Sequence, residues 1–202
     1  MTEHSAHGPV AGVLETVEAA LVEHFGHQPQ RAAVSFVGVE RIEVLRFEPI
    51  PGERAYVSLG MSRHPMTGGA ESFVAVDGPR AELLLHVRDP TDEFADVWRR
   101  VAVLAAAPAV ESVVYSTGMT VDIGEPLIDG AAVTGVVVTE SPLAPVTTAA
   151  AEVRVLQVVP ATSNELAWGR VRGSNDLIER LRSPDVDLLD LLRRSVPLDQ
   201  GE

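Results

Sequence analysis

The residues best suited to acid–base chemistry in this sequence are an arginine, two histidines and a glutamate. Arg63 and His64 follow one apolar run, and Glu82 and His86 lie in the next one. Imidazole and carboxylate groups can transfer protons near neutral pH. One alternative for this chain is therefore a hydrolase or a small-molecule-binding enzyme that uses the Arg63/His64 loop. This alternative requires the two runs to be adjacent strands.

Covalent catalysis is disfavoured by the residue types that are present. Ser62 and His64 are too close in sequence to form a nucleophile–base hydrogen bond easily, and no Gly-x-Ser-x-Gly elbow surrounds the serine. The chain has no cysteine and no lysine. Their absence excludes disulfides, thiolate chemistry, Schiff bases and the lysine of a Walker A phosphate loop. We therefore predict no catalytic residue and no cofactor.

Two histidine pairs have a spacing that could hold a metal ion. His4 and His7 lie in a polar N-terminal segment, and His24 and His27 lie at the end of a predicted helix. A cationic imidazole at a helix C-terminus is explained by the helix dipole. Neither pair is framed as His-Glu-x-x-His. We predict no metal site.

Three segments are candidates for contact with a protein partner. The first is a loop after a buried strand, the second ends another strand before a proline-bearing loop, and the third is a tryptophan. Glu140 could accept hydrogen bonds from a partner, whereas Ser141 also fits a local turn. The tryptophan suits either the core or an interface. The candidates are Met61, Ser62, Arg63, His64, Thr139, Glu140, Ser141 and Trp168.

The charge of the chain restricts the kind of partner. The formal net charge is −13, so direct binding of nucleic acid is disfavoured. The acidic surface would attract a basic protein or peptide, or it serves only to keep the protein soluble. No apolar run is long enough to span a membrane, and no signal peptide is recognisable. We expect a cytoplasmic protein that does not bind membranes. The oligomeric state stays open, because an exposed edge strand could pair with a second copy.

Hydrophobic periodicity indicates the elements that must position these residues. A helix is expected from Pro9 to Gly26, and another from a cap at Asp89 to Pro108, with Phe94 on its apolar face. Two of the expected strands are apolar on both faces, which is typical of the middle of a covered sheet. The expected strands are Ala33–Val37, Glu43–Phe47, Arg54–Leu59, Arg80–Val87, Val133–Thr139 and Val153–Val159.

The C-terminal part of the sequence is predicted to be helical. Thr162 and Glu165 fit a capping box that starts a helix, which Gly173 ends. A short helix follows through Leu181, and a last one is expected near 187–194. The whole pattern predicts an α+β fold with a central mixed β-sheet flanked by helices. We expect one domain over residues 9–196, with a disordered tail at 1–8 and a C-terminal tail at 197–202.

Several segments in order resemble the Suppressor of fused family. They are Tyr56-Val57-Ser58-Leu59-Gly60-Met61-Ser62, Ala81-Glu82-Leu83-Leu84-Leu85, Val137-Val138-Thr139-Glu140-Ser141 and Leu156 through Leu166. The resemblance, to a bacterial single-domain member, implies a Suppressor-of-fused-like domain that binds proteins rather than catalyses a reaction. Animal members grip a transcription-factor peptide with a second domain that this chain is too short to contain. Bacterial members are suspected immunity proteins that neutralise toxins, so the resemblance implies an immunity protein with a toxin as partner, or an adaptor.

Overall fold

The protein is built on one mixed β-sheet with helices on both faces. In the computed structural model the described residues are 9–68, 78–89, 91 and 97–198. The strands are β1 (Gln30–Val34), β2 (Ile42–Phe47), β3 (Glu53–Leu59), β4 (Arg80–Arg88), β5 (Thr120–Asp122), β6 (Val133–Glu140), β7 (Val146–Thr147) and β8 (Glu152–Thr162). The helices are α1 (Pro9–Phe25), α2 (Val97–Glu111), α3 (Ser163–Arg172) and α4 (Ser174–Leu181). The predicted α+β class is confirmed.

The strand order places the elements of the candidate sites in the middle of the sheet. The order is β1-β2-β3-β4-β8-β6-β5, and β7 pairs with the start of β8. Among the described strands, β4 and β8 form the parallel pair, and the other pairings are antiparallel. β6 and β8 are buried on both faces, since the consecutive residues Val137 and Val138 of β6 and Val155 and Leu156 of β8 are all buried. The prediction that these two runs lie inside the sheet is confirmed.

The two faces of the sheet are covered by different helices. Val44 and Tyr56 pack with residues of α2, whereas Leu45 and Val57 pack with residues of α1. Successive side chains of a strand point to opposite faces, so α1 and α2 lie on opposite sides of the sheet. α3 and α4 pack over Val137 and its neighbours on β8, on the same side as α1.

The predicted capping box forms at the start of α3. The amide of Thr162 donates to Glu165 at 2.7 Å, and the amide of Glu165 donates to the Thr162 hydroxyl at 3.3 Å. Glu165 is also fully buried and forms a two-bond ion pair with Arg193, at 2.7 and 2.9 Å. Its carboxylate therefore joins the helix start to the C-terminal segment, a connection that the local sequence pattern does not reveal.

The prediction that Pro108 stops the second helix is wrong, because α2 continues to Glu111. A proline inside a helix lacks the N–H that would bond the carbonyl four residues earlier, which here is that of Leu104. The hydroxyl of buried Tyr115 donates to this carbonyl at 2.8 Å instead. The expected start of this helix cannot be followed, because Pro90 and Phe94 lie outside the described residues.

The prediction of a last helix near 187–194 is also wrong. The segment forms consecutive turns, in which the Asp187 side chain accepts from the amide of Leu189 at 3.1 Å and the Asp190 side chain accepts from that of Leu192 at 2.8 Å. Short acidic side chains can hydrogen-bond nearby backbone amides and so compete with helical hydrogen bonds. Here both aspartates form such local bonds.

Candidate partner-binding surface

The loop that contains Arg63 and His64 begins with a tight turn after β3. Gly60 has φ 137°, and a Cβ atom there would lie 3.0 Å from the carbonyl oxygen of Arg41. Both features favour glycine. A single turn of 3-10 helix, Met61–Arg63, follows. Met61 and Ser62 are buried, so of the four loop candidates Arg63 and His64 face the solvent.

Glu82 on β4 holds this turn from below. The side chain is fully buried. One carboxylate oxygen accepts from the amides of Gly60 and Ser62, both at 2.9 Å, and from the Ser62 hydroxyl at 2.6 Å. The other accepts from the Ser58 hydroxyl at 2.5 Å. Hydrogen bonds to a carboxylate are stronger than neutral ones, so the three bonds from Gly60 and Ser62 fix the turn to the sheet.

Arg80 holds the same turn through its carbonyl groups. The guanidinium donates to the carbonyl oxygens of Ser62 at 2.8 Å and Arg63 at 2.6 Å. Partial burial lowers the pKa of Arg80, but an arginine stays charged at any physiological pH. The donors of the turn therefore bond to Glu82 and its acceptors to Arg80, and the turn has little freedom to move.

The exposed side of the turn carries a small charged cluster that joins it to the connection between β1 and β2. Arg63 donates to Glu40 at 2.5 Å, and His64 Nε2 lies 3.1 Å from the same carboxylate. The hydrogen bond with His64 lowers the pKa of Glu40, and desolvation opposes this. Val37 lies in the preceding connection and is fully exposed. Its position was expected to be the end of a strand, but β1 ends at Val34.

The second candidate segment lies at the end of β6. Thr139 is buried and donates to the carbonyl oxygen of Gln157 at 3.4 Å. Ser141 accepts from the amide of Leu143 at 3.1 Å, which is the local turn contact that the sequence allowed. Glu140 is exposed and bonds to neighbours of its own chain.

Glu140 has two partners at this end of the sheet. Arg154 and the Thr117 hydroxyl each donate to its carboxylate at 2.6 Å. The hydrogen bonds from Arg154 and Thr117 lower its pKa. In the sheet, the end of β3, the starts of β4 and β8, and the end of β6 lie on one side. Three strand spacings separate β3 from β6, about 14 Å, so Arg63 and Glu140 lie at one rim, here named the Arg63 end.

Trp168 lies elsewhere, on α3. The ring is half-buried and packs against the cluster formed by α3, α4 and the sheet. The guanidinium carbon of Arg180 lies 4.8 Å from its ring centroid. The ring thus packs against the core with part of its surface exposed, and its contact with a partner stays a prediction.

The residues of the enzyme alternative do not converge. His64 is exposed beside Glu40, and Glu82 is buried beneath the turn. His86 lies four residues further along β4, about 13 Å from Glu82, where its ring is 2.8 Å from the Glu53 carboxylate. An acid and a base must be within hydrogen-bond reach of one substrate, and these groups are not.

The second histidine pair lies at the C-terminal end of α1. His4 and His7 lie outside the described residues. His27 Nδ1 lies 2.9 Å from the carbonyl oxygen of Phe25, and its Nε2 accepts from the amide of Glu48 at 3.2 Å. Across the described part of the chain, no group of three or more metal-binding side chains is present. In the same part, none of the helices has the length and apolar character needed to cross a membrane.

Comparison with known proteins identifies the family. Among curated proteins none matches this sequence. A structure from Neisseria gonorrhoeae, assigned as a Suppressor of fused homologue, is similar with a TM-score of 0.63 at 17% identity, over 93% of this chain and 97% of that one. A chain of the Sufu–Fu complex is similar with a TM-score of 0.63 at 14% identity, over 96% of this chain and 93% of that one. Drosophila Suppressor of Fused is similar with a TM-score of 0.59 at 13% identity, over 96% of this chain and 51% of that one.

These likenesses below 25% identity establish the fold. The sequence itself gives independent evidence, because the model of the Suppressor of fused protein (SUFU) family matches residues 38–194. The matched range includes the turn after β3, the end of β6 and the capping box. This chain belongs to the Suppressor of fused family.

Proposed function

We propose that this chain is a non-enzymatic protein-binding domain, an immunity protein or an adaptor, that holds its partner at the Arg63 end of the sheet. The family is one in which the Sufu–Fu complex is known as a structure. The observation that carries the proposal is the fixation of the Met61–Arg63 turn by Glu82 and Arg80. A surface held in one conformation before binding loses less conformational entropy when the partner arrives.

The Arg63 end has the composition of a recognition surface. Val37 is an exposed apolar side chain of the β1–β2 connection, and the same connection carries Glu40, the ion-pair partner of Arg63 and His64. Interfaces commonly combine an apolar centre with a polar rim. The net charge of −13 would speed the approach of a basic partner.

The buried state of Glu82 argues against the enzyme alternative. A carboxylate has about four acceptor positions, and this one already accepts four hydrogen bonds from its own chain. It could take a proton from a substrate only by releasing the turn. We therefore favour recognition over general base catalysis at this position.

The test is recovery of the partner and measurement of its affinity. The purified chain, used as bait in a lysate of its own cells, is expected to retain one protein stoichiometrically. Val37→Glu should then weaken binding at least tenfold, because it places a charge at the apolar centre. Ile50→Glu is the matched control, since Ile50 is 54% exposed on the β2–β3 turn at the opposite end of the sheet.

The proposal fails if no partner is retained, or if Val37→Glu and Ile50→Glu have equal effects on affinity. The immunity and adaptor roles separate by genetics. A toxin gene beside this one, and protection from that toxin by this chain but not by its Val37→Glu variant, would favour immunity. Turnover of a metabolite by the purified chain would favour the enzyme alternative.

A further inference from the structure

A second open surface lies between α1 and the segment that follows β6. The groove has a volume of about 470 Å³ and runs between one flank of α1 and residues 143–147. It lies on the face of the sheet that α1 covers, where Leu143 and Val146 pack against the α1 cluster.

The groove exists because the side chains on this flank of α1 are small. Val17 and Leu21 point into the core and are inaccessible. The neighbouring positions that line the groove include Thr16, Ala19 and Ala20, which leave space that larger side chains would fill. The helix is held by its core contacts, so this wall of the groove is formed before any ligand binds.

The opposite wall offers unpaired backbone groups. β7, the strand Val146–Thr147, lines the groove and pairs with β8 alone among the described strands. No described strand pairs with the other edge of β7, and an extended peptide can add to such an edge as a strand. The turn after β7 is fixed, because the Thr148 hydroxyl donates to the Ala151 carbonyl at 2.7 Å and accepts from the Ala151 amide at 3.1 Å.

The charge of the groove indicates the ligand. Glu23 and His24 line it, none of the lining residues is an arginine, and within the described part of the chain no arginine pairs with the Glu23 carboxylate. On the other flank of α1, Glu18 pairs with Arg31. The acid on the β1 side is thus neutralised by the chain itself, whereas the acid at the groove is left for a ligand.

We propose that this groove binds an extended, arginine- or lysine-bearing segment of a protein partner, which adds to the edge of β7 and places a cation beside Glu23. This inference goes beyond the proposed function, because it concerns a different surface and stands even if the Arg63 end binds nothing.

The probe is an acetylated, amidated pentapeptide that alternates valine and arginine, titrated into the full chain and followed by amide chemical shifts. Saturable shifts are expected at residues 16–24 and 143–147. Ala20→Trp should weaken the peptide at least tenfold by filling the groove. Ala109→Trp, on the exposed side of α2 across the sheet, should change nothing.

Charge is tested separately. Glu23→Gln should weaken the peptide about threefold at low salt, whereas Glu179→Gln, an exposed acid on α4, should not. Substituting glutamate for the arginines of the peptide should abolish the shifts. Absence of saturable shifts, shifts centred on Arg63, or equal binding by the Ala20→Trp variant would overturn the proposal. Val37→Glu should leave peptide binding intact, which distinguishes this site from the Arg63 end.

Discussion

The buried pair of Glu165 and Arg193 allows a quantitative test of what holds the C-terminal segment. Glu165 has no exposed surface and accepts two hydrogen bonds from Arg193 and one each from the amides of Thr162 and Val196. Arg193→Met removes the cation and leaves a buried carboxylate with two amide donors. Breaking a buried pair in this way costs about 3–5 kcal/mol. We expect a loss of that size in the free energy of unfolding at pH 7.

The pH dependence gives the sign of the effect. Burial raises the pKa of Glu165, but the bonds from Arg193, Thr162 and Val196 outweigh burial and lower it overall. In the native protein this stabilisation is present above the unfolded pKa, about 4.3, and is lost as the pH falls through the lower folded pKa. Without Arg193, burial dominates and the folded pKa rises, so the destabilisation should shrink as the pH falls from 7 towards 4.5.

Urea unfolding followed by tryptophan fluorescence measures this difference, since Trp168 packs in the same cluster. Arg88→Met is the control, because the ion pair of Arg88 with Asp187 is about half exposed and should contribute less than about 1 kcal/mol. A loss below about 1 kcal/mol for Arg193→Met, or a loss that does not change between pH 7 and pH 4.5, would refute the reasoning.

Three further predictions concern the fold. Tyr115→Phe should lower the free energy of unfolding by about 1–3 kcal/mol, because it leaves the buried carbonyl of Leu104 without a donor. Adding Pro108→Ala should recover most of that loss, because alanine restores the helical amide. Additive effects of the two substitutions in urea unfolding would contradict this. The burial that raises the pKa of Tyr115 should keep its ultraviolet absorbance unchanged up to pH 11. Gly135→Ala should destabilise the chain strongly, since its Cβ would lie 2.2 Å from a backbone oxygen, whereas Gly12→Ala meets no atom within 4 Å and should stabilise α1 by about 0.5–1 kcal/mol; a similar melting temperature for the two variants would be the contrary result.

Local patterns predicted the elements whose formation depends on neighbours in sequence. α1 follows its apolar periodicity, and the Thr162 capping box satisfies its own amides. The failures arise where a distant residue supplies what the local sequence lacks. Pro108 reads as a stop because the hydroxyl of Tyr115, which replaces the missing amide, is not recognisable from the residues around the proline. The short strands β5 and β7 carry too few residues for a period of two to be visible.

The candidate site shows the same limit. The sequence identified Arg63 and His64 as a loop after a strand, but it could not show that Glu82 lies beneath that loop. The sequence did not identify Val37 as an exposed residue, because it was predicted to end the strand that begins at Ala33. Its exposure follows from the end of β1 at Val34. The topology that brings Glu140 to the same rim depends on the parallel pairing of β4 with β8, and no local signal encodes this pairing.

Glu82 and Glu165 share a physical role that supports the proposed binding function. Both are fully buried, and each accepts four hydrogen bonds, most of which hold a segment leaving the sheet. A buried carboxylate is tolerated only when its hydrogen bonds are satisfied. Neither group can therefore turn to a substrate without breaking the hydrogen bonds that stabilise the fold. The turn that Glu82 holds carries charged groups on its exposed side. Arg63 and His64 are such groups, and the rigidity beneath them is useful for binding a partner of fixed shape.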